Sequence, residues 1–184
     1  MNPTIQVLME RRSVRSYQKI QISNEDLGQI VQSALRAANA MNHQNWHFLV
    51  VQNQTVLDRI SDSVRSTMLR SESPNQVERA MQGDFHCFYH APTVVIVSGD
   101  GSIYSIANCA GAAQNMCVAA TALGLGSCYI ASFVQAFKAT DGKKLKESLP
   151  IPSGYEPLFA VAIGYPAGEL PPLKPREQKI TYLK

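Results

Sequence analysis

The chain has 184 residues, 45% of them hydrophobic, which suits one domain that buries about 70% of its unfolded surface. Seventeen basic against fourteen acidic residues leave a net charge of +3, too mild a field to suggest a nucleic-acid binder. Four cysteines without a CxxC pair, no apolar run near the roughly 18 residues of a membrane span, and an amino terminus unlike a signal peptide together predict a soluble, cytoplasmic protein.

Pro3 and Thr4 predict the start of a first helix, with Ile5, Leu8 and Met9 on one face. It runs into Glu10-Arg11-Arg12-Ser13-Val14-Arg15-Ser16-Tyr17, where guanidiniums and hydroxyls crowd together. Arginine is always charged and presents a planar fork of donors, so such a group suits an anion with several acceptor oxygens, such as a phosphate. A solvated basic turn has the same composition. Further basic residues, Lys174, Arg176 and Lys179, lie at the opposite end of the chain. A site that uses both ends has to be assembled by folding.

Ser23-Asn24-Glu25-Asp26 reads as a capping-box-like start to a second helix over about 24–38, carried by Leu27, Ile30, Val31, Ala34, Leu35 and Ala38. After it the pattern breaks into Asn39-Ala-Met-Asn42-His-Gln44-Asn45, and residues 46–52 form an aromatic and β-branched strand. A helix is expected over 55–70 and a polar, mobile excursion over 71–83. A strand then follows over 93–98, and a long small-residue-rich buried helix over 103–123. Gly124 ends that helix, a strand passes through 128–130, and residues 138–149 predict a polar amphipathic helix. The last strand covers 156–164, and 165–184 is a Pro-rich extended tail. Helices and strands mingle without a regular βαβ repeat. The expected fold is therefore a single α+β domain over 1–184, a mixed and largely antiparallel sheet flanked by helices.

The candidates for chemistry are few. Gly124-Leu-Gly126 follows a helix where a dinucleotide fingerprint would precede one, so it reads as a helix stop. His86 and His90 have metal-ligand spacing, but no third ligand is evident and ring packing before Ala91-Pro92 is the better reading. No GxSxG occurs. The amides Asn39, Asn42, Gln44 and Asn45 suit either loop backbone or the edge of a flat heterocycle, having both donors and acceptors.

The order of these pieces resembles the nitroreductase family. The residues that carry the likeness are Arg11-Arg12-Ser13-Val14-Arg15, Asn42-His-Gln44-Asn-Trp46, Gln114-Asn115, Gly124-Leu-Gly126-Ser127, Gly154-Tyr-Glu156-Pro157, Gly164-Tyr-Pro166 and Lys174-Pro-Arg176. The likeness runs from about residue 5 to 176 and is poorest over 60–92, where such proteins carry a variable lid. It implies FMN as cofactor, NADH or NADPH as electron donor, and an electron-poor small-molecule acceptor such as a nitroaromatic or quinone. It also implies a homodimer with FMN at the interface, where the long helix lies, and neither nucleic acid nor membrane as partner.

The resemblance assigns the phosphate grip to Arg11, Arg12, Ser13 and Arg15, joined by Lys174 and Arg176. It brings Asn39 and Asn42 to the flavin of the other subunit, and makes Asn108 a polar flavin contact. Tyr129, Ile130, Ala131 and Ser132 match the strand end whose backbone faces the ring. No residue is assigned as a general acid or base, and none as a metal ligand. Relatives on this scaffold also modify flavins or oxidise peptides, so a different flavin activity, or a non-catalytic nucleotide-binding protein, is the alternative. Asn39 stands where the family usually has serine and Ala38 where it often has proline. Ala131-Ser132 replaces the Glu-Gly pair of some members.

Overall fold

In the computed structural model, which describes residues 1–170 and 172–184, four strands form one sheet in the order β1-β2-β4-β3. These are β1 (Trp46–Val51), β2 (Thr93–Gly99), β3 (Gly126–Ile130) and β4 (Glu156–Gly164). The helices are α1 (Pro3–Glu10), α2 (Asn24–Leu35), α3 (Gln54–Leu69), α4 (Pro74–Met81), α5 (Ser105–Ala122) and α6 (Gly142–Glu147). Short 3-10 segments occupy Ala40–Asn42 and Ser132–Lys138.

All three strand ladders are antiparallel, so the largely antiparallel sheet expected from the sequence forms, and the parallel element is reduced to an isolated bridge between Ser13 and Ser127. The two-residue period of the strands decides what faces what. On β2 and β4, Val94, Ile96, Ala160 and Ala162 pack toward α3, α4 and the 132–138 segment, with Phe88 and Phe133. Val95, Val97, Val161 and Ile163 pack toward α2 and α5 on the opposite face. Both faces of the sheet are covered, which is why β2 is buried at every position.

Helix ends follow local chemistry. The Ser23 hydroxyl accepts from the Asp26 N–H at 3.0 Å and starts α2. At the end of α5, Gly124 takes φ 73°, and the Leu125 and Gly124 N–H groups donate to Ala120 and Thr121 at 2.8 and 3.1 Å. This is the paired closure that a left-handed glycine permits, and Gly124 is a helix stop.

Two expectations differ from the structure. The polar 71–83 stretch contains α4, whose Pro74 sits at a helix start, where its missing N–H does no harm. Fully buried Ala80 and a hydrogen bond from Arg65 Nε to the Ala80 carbonyl (2.8 Å) fix it to α3. The helix expected over 138–149 is broken into the 132–138 segment and α6. A side chain at Gly142 would meet the Phe137 carbonyl oxygen at 2.3 Å, so the chain turns tightly there and restarts. Of the 165–184 tail, position 171 lies outside the described residues, and the rest beyond Tyr165 and Pro166 holds no helix or strand. Among the described residues no helix is long and apolar enough to cross a membrane.

Candidate functional site

The basic segment leaves α1 at Arg11, whose N–H still donates to the Val7 carbonyl at 3.0 Å. It then lies along β3: Ser13 bridges Ser127, and the Val14 N–H donates to the Ser127 carbonyl at 2.9 Å. Val14 is only 5% exposed and sits directly on Gly126, where an added methyl would come within 2.8 Å of its Cγ1. Further along, Tyr17 bridges Pro166 and its hydroxyl donates to the Val14 carbonyl at 2.7 Å. The Gln18 N–H donates to Tyr165, and the Ala167 N–H to Ser16, at 2.9 and 3.0 Å. The segment is thus held mostly by backbone, and with Val14 turned into the core its odd-numbered neighbours Ser13 and Arg15 turn the other way.

Those neighbours meet at Cys128 on β3. Burial pushes the Cys128 thiol up, and Arg15, a hydrogen bond with Ser13, Arg79 and Arg11 pull it back without reversing the shift. The thiol therefore stays protonated and is no nucleophile. Its surroundings show that Arg11, Ser13 and Arg15 converge, and that α4 adds Arg79. Arg79 Nη2 donates to the Tyr89 hydroxyl at 3.1 Å and lies over the Phe85 ring at 5.9 Å. Arg15 lies over the Tyr89 ring at 5.8 Å. A cavity of about 1070 Å3 opens here, lined among others by Arg15, Arg79, Phe85 and Tyr89. Sequence reasoning missed Arg79. The one available signal was Ser73-Pro74 as a helix start, which places Arg79 in a last turn facing its neighbours. Arg12 points elsewhere locally: its Nε donates to the Glu10 carbonyl at 3.1 Å, at the end of α1.

The amide-rich loop between α2 and β1 is a built structure. Met41, Asn42 and Gln44 all have positive φ, at 53°, 55° and 49°. Asn39 Oδ1 accepts from the Gln44 N–H at 3.0 Å, and Gln44 Nε2 donates to Asn42 Oδ1 at 3.2 Å. Asn108 on α5 is 4% exposed; its Oδ1 accepts from the Ala40 N–H at 3.0 Å and its Nδ2 donates to Asn45 Oδ1 at 2.8 Å. Asn45 Nδ2 continues to Asp100 Oδ1 at 3.2 Å and to the Ser102 hydroxyl. Hydrogen bonds from the Ser102 hydroxyl and N–H hold the Asp100 carboxyl below its ordinary value.

At the end of β3, Tyr129 packs on Phe159 with ring centroids 5.0 Å apart, and Ile130 is buried. Ala131 is exposed, one residue beyond the final ladder pair Ile130–Ala160, and Ser132 opens the 3-10 segment. Lys174 and Arg176 are exposed on the tail, past the point where Tyr165 to Ala167 join the basic segment.

His86 and His90 stack with centroids 4.3 Å apart, the ring packing expected of them. The structure adds a third group, Asp58, and places the ligand atoms of all three within 4.8 Å of one another. Their chemistry is that of a hydrogen-bonded pair. His86 Nδ1 accepts from the Phe88 and His90 N–H groups at 3.3 and 3.1 Å, so a neutral ring carries its proton on Nε2. That nitrogen lies 3.3 Å from Asp58 Oδ1, and it has no free lone pair to give a metal. Stacked rings also direct their in-plane nitrogens in parallel instead of toward one ion.

Among known families, the model described as "Nitroreductase family" matches residues 8–165. A crystal structure of a nitroreductase with bound FMN from Bacteroides fragilis NCTC 9343 superposes at TM-score 0.92 and 30% identity, covering 100% of both chains. One from Desulfitobacterium hafniense DCB-2, also with bound FMN, gives TM-score 0.92 at 28% identity over 100% of both. The FMN reductase (NADPH) of Bacillus subtilis is 29% identical over 193 residues, 97% of this chain and 72% of that protein.

Proposed function

Because this chain belongs to the nitroreductase family, we propose that it is an FMN-dependent NAD(P)H oxidoreductase. The observation that carries this reading is the convergence of Arg11, Ser13 and Arg15 on Cys128 of β3, beside a cavity of about 1070 Å3. When bound, FMN supplies the redox chemistry, taking a hydride from a reduced nicotinamide and passing it to an electron-poor acceptor such as a nitroaromatic or quinone.

The chain supplies grip and orientation. Arg11, Ser13 and Arg15 hold the phosphate through charge-assisted hydrogen bonds, joined by Lys174 and Arg176 from the tail. Arg12 belongs to the same basic segment and steadies the exit from α1. The exposed end of β3, from Tyr129 to Ser132, faces the ring, with the Ala131 N–H as a donor toward it. No side chain is needed as general acid or base.

The reading includes a homodimer, with the loop holding Asn39 and Asn42 reaching the flavin of the other subunit. The exposed apolar residues support it: Ile5, Leu8 and Met9 on α1, and Ile103 and Ile106 at the start of α5, are 49%, 45%, 66%, 88% and 62% exposed. Such apolar area on a small domain calls for a partner, and a second copy is the economical one. The reading places the protein in the cytoplasm, with residues 60–92 shaping acceptor access.

Purification with its visible absorption spectrum, followed by anaerobic mixing with NADH and NADPH, tests this. A yellow protein bleached by at least one donor is the expected result. A colourless protein that does not take up added FMN overturns the proposal.

A further inference from the structure

The hydrogen bonds of Asn108 give it a role different from that of a cofactor ligand. Its carbonyl is used by the Ala40 N–H, the first donor of the 40–42 turn, which has no partner within that turn. Its amide is used by Asn45, the last residue before β1. One buried side chain therefore fastens both ends of a loop that contains Met41, Asn42 and Gln44 in the left-handed region. Non-glycine residues hold that conformation only when the surroundings over-determine it. Asn45 carries the fastening outward to Asp100 and Ser102, in the turn that leads into α5. The chain of contacts links α5, the loop and the end of the sheet through amides buried to 4% exposure.

We propose that Asn108, with Asn45 as its relay, is a positioning residue that clamps loop 39–45 into the shape that meets the flavin of the other subunit, without itself touching the flavin. This deepens the oxidoreductase reading and rests on it for the flavin part. The clamp itself can be observed without cofactor.

The test uses the full-length protein and the variants Asn108→Ala, Asn45→Ala, the double variant, and Asn115→Ala. Asn115 lies on the same helix, and its amide donates to the Ser33 carbonyl at 2.9 Å, away from the loop. Amide hydrogen exchange is followed in apo-protein over residues 40–44, and FMN affinity by flavin fluorescence quenching. Asn108→Ala and Asn45→Ala are each expected to speed exchange at Ala40 to Gln44 and to weaken FMN about tenfold, equivalent to about 1.4 kcal/mol. The double variant is expected to be no worse than the poorer single one, because both break the same chain of bonds. Asn115→Ala should leave both readouts at wild-type values.

Weakened FMN in Asn108→Ala with unchanged loop exchange would make Asn108 a direct ligand and overturn the clamp. Additive losses in the double variant, or equal losses in Asn115→Ala, would overturn it too. If wild-type protein takes up no FMN, the oxidoreductase reading fails while the exchange data still decide the clamp. Unchanged exchange in Asn108→Ala would then end it.

Discussion

Two segments frame the candidate site and are held in opposite ways. The basic segment, residues 11–18, is tied down by backbone: the bridges to Ser127 and Pro166, and the N–H bonds of Val14 and Gln18. Its functional side chains are left free to face a ligand. The loop over 39–45 is tied down by side chains, Asn39, Asn45 and Asn108, and spends its amides on its own backbone. The first arrangement tolerates changes in its exposed residues without losing shape. The second loses shape when one buried amide goes.

The strongest way to break the contrast is to attack the backbone anchor. Gly126→Val puts branched carbons where even a single methyl meets Val14 at 2.8 Å. Overpacking of this kind costs about 1–3 kcal/mol, so thermal unfolding should shift down by several degrees. Bound flavin should be lost with it, since Ser13 and Arg15 move with Val14. Wild-type flavin content in a well-folded Gly126→Val protein would mean that the anchor does not set the grip.

Next in size are the exposed charges on that anchor. Arg11→Ala, Arg15→Ala and Arg176→Ala should each lower FMN affinity by about 1.5–3 kcal/mol, some ten- to a hundredfold, with folding little changed. Arg36→Ala, an exposed charge at the end of α2, is the control and should bind FMN as wild type. Equal losses in all four would show that general charge, not this segment, holds the phosphate.

A titration sharpens the comparison away from the site. Burial, then the neighbouring His90, holds the His86 imidazole below its ordinary value, with Asp58 and Asp62 opposing. Below about pH 6.5 the unfolded chain therefore binds a proton that the folded one resists, so stability falls as pH drops through that range. His47, lowered by burial, adds in the same direction. Melting temperature against pH should show this slope, shallower in His86→Gln. The same slope in His86→Gln would remove His86 as its source.

The smallest effect concerns the loop itself. Met41 is 79% exposed at φ 53°. Met41→Gly relieves the left-handed strain but frees the unfolded chain, for a net gain within about 1 kcal/mol. A clear destabilisation would show that the methionine side chain contributes contacts of its own.

Much of this was legible in the sequence because it is local. Helical spacing gave α2, α3 and α5 to within a few residues, and β-branched runs gave β1, β2 and β4. The serine cap and Gly124 marked ends through chemistry that acts within a turn. What escaped depends on distant partners. α4 is too polar to announce itself until Ala80 is seen under α3. The clustering of Asp58 with His86 joins residues 28 apart in number, and the pairing of Asn108 with Asn45 spans 63. Spacing showed that the basic segment and the amide loop each existed. It did not show that one is a platform of free side chains and the other a self-contained bracket.

The joining of residues 16–18 to 165–167 has a consequence for how the protein is made. The bond from Gln18 Nε2 to the Pro166 carbonyl closes a separation of 148 residues, and β4 must pair before that partner is in place. A ribosome delivers the arginines first and their anchor almost last. During most of synthesis the basic segment therefore has no platform to lie on, and long-range closure of this kind is slow. Cofactor capture becomes a late, post-release event, for which the nascent chain competes with every other user of free flavin only once it is complete.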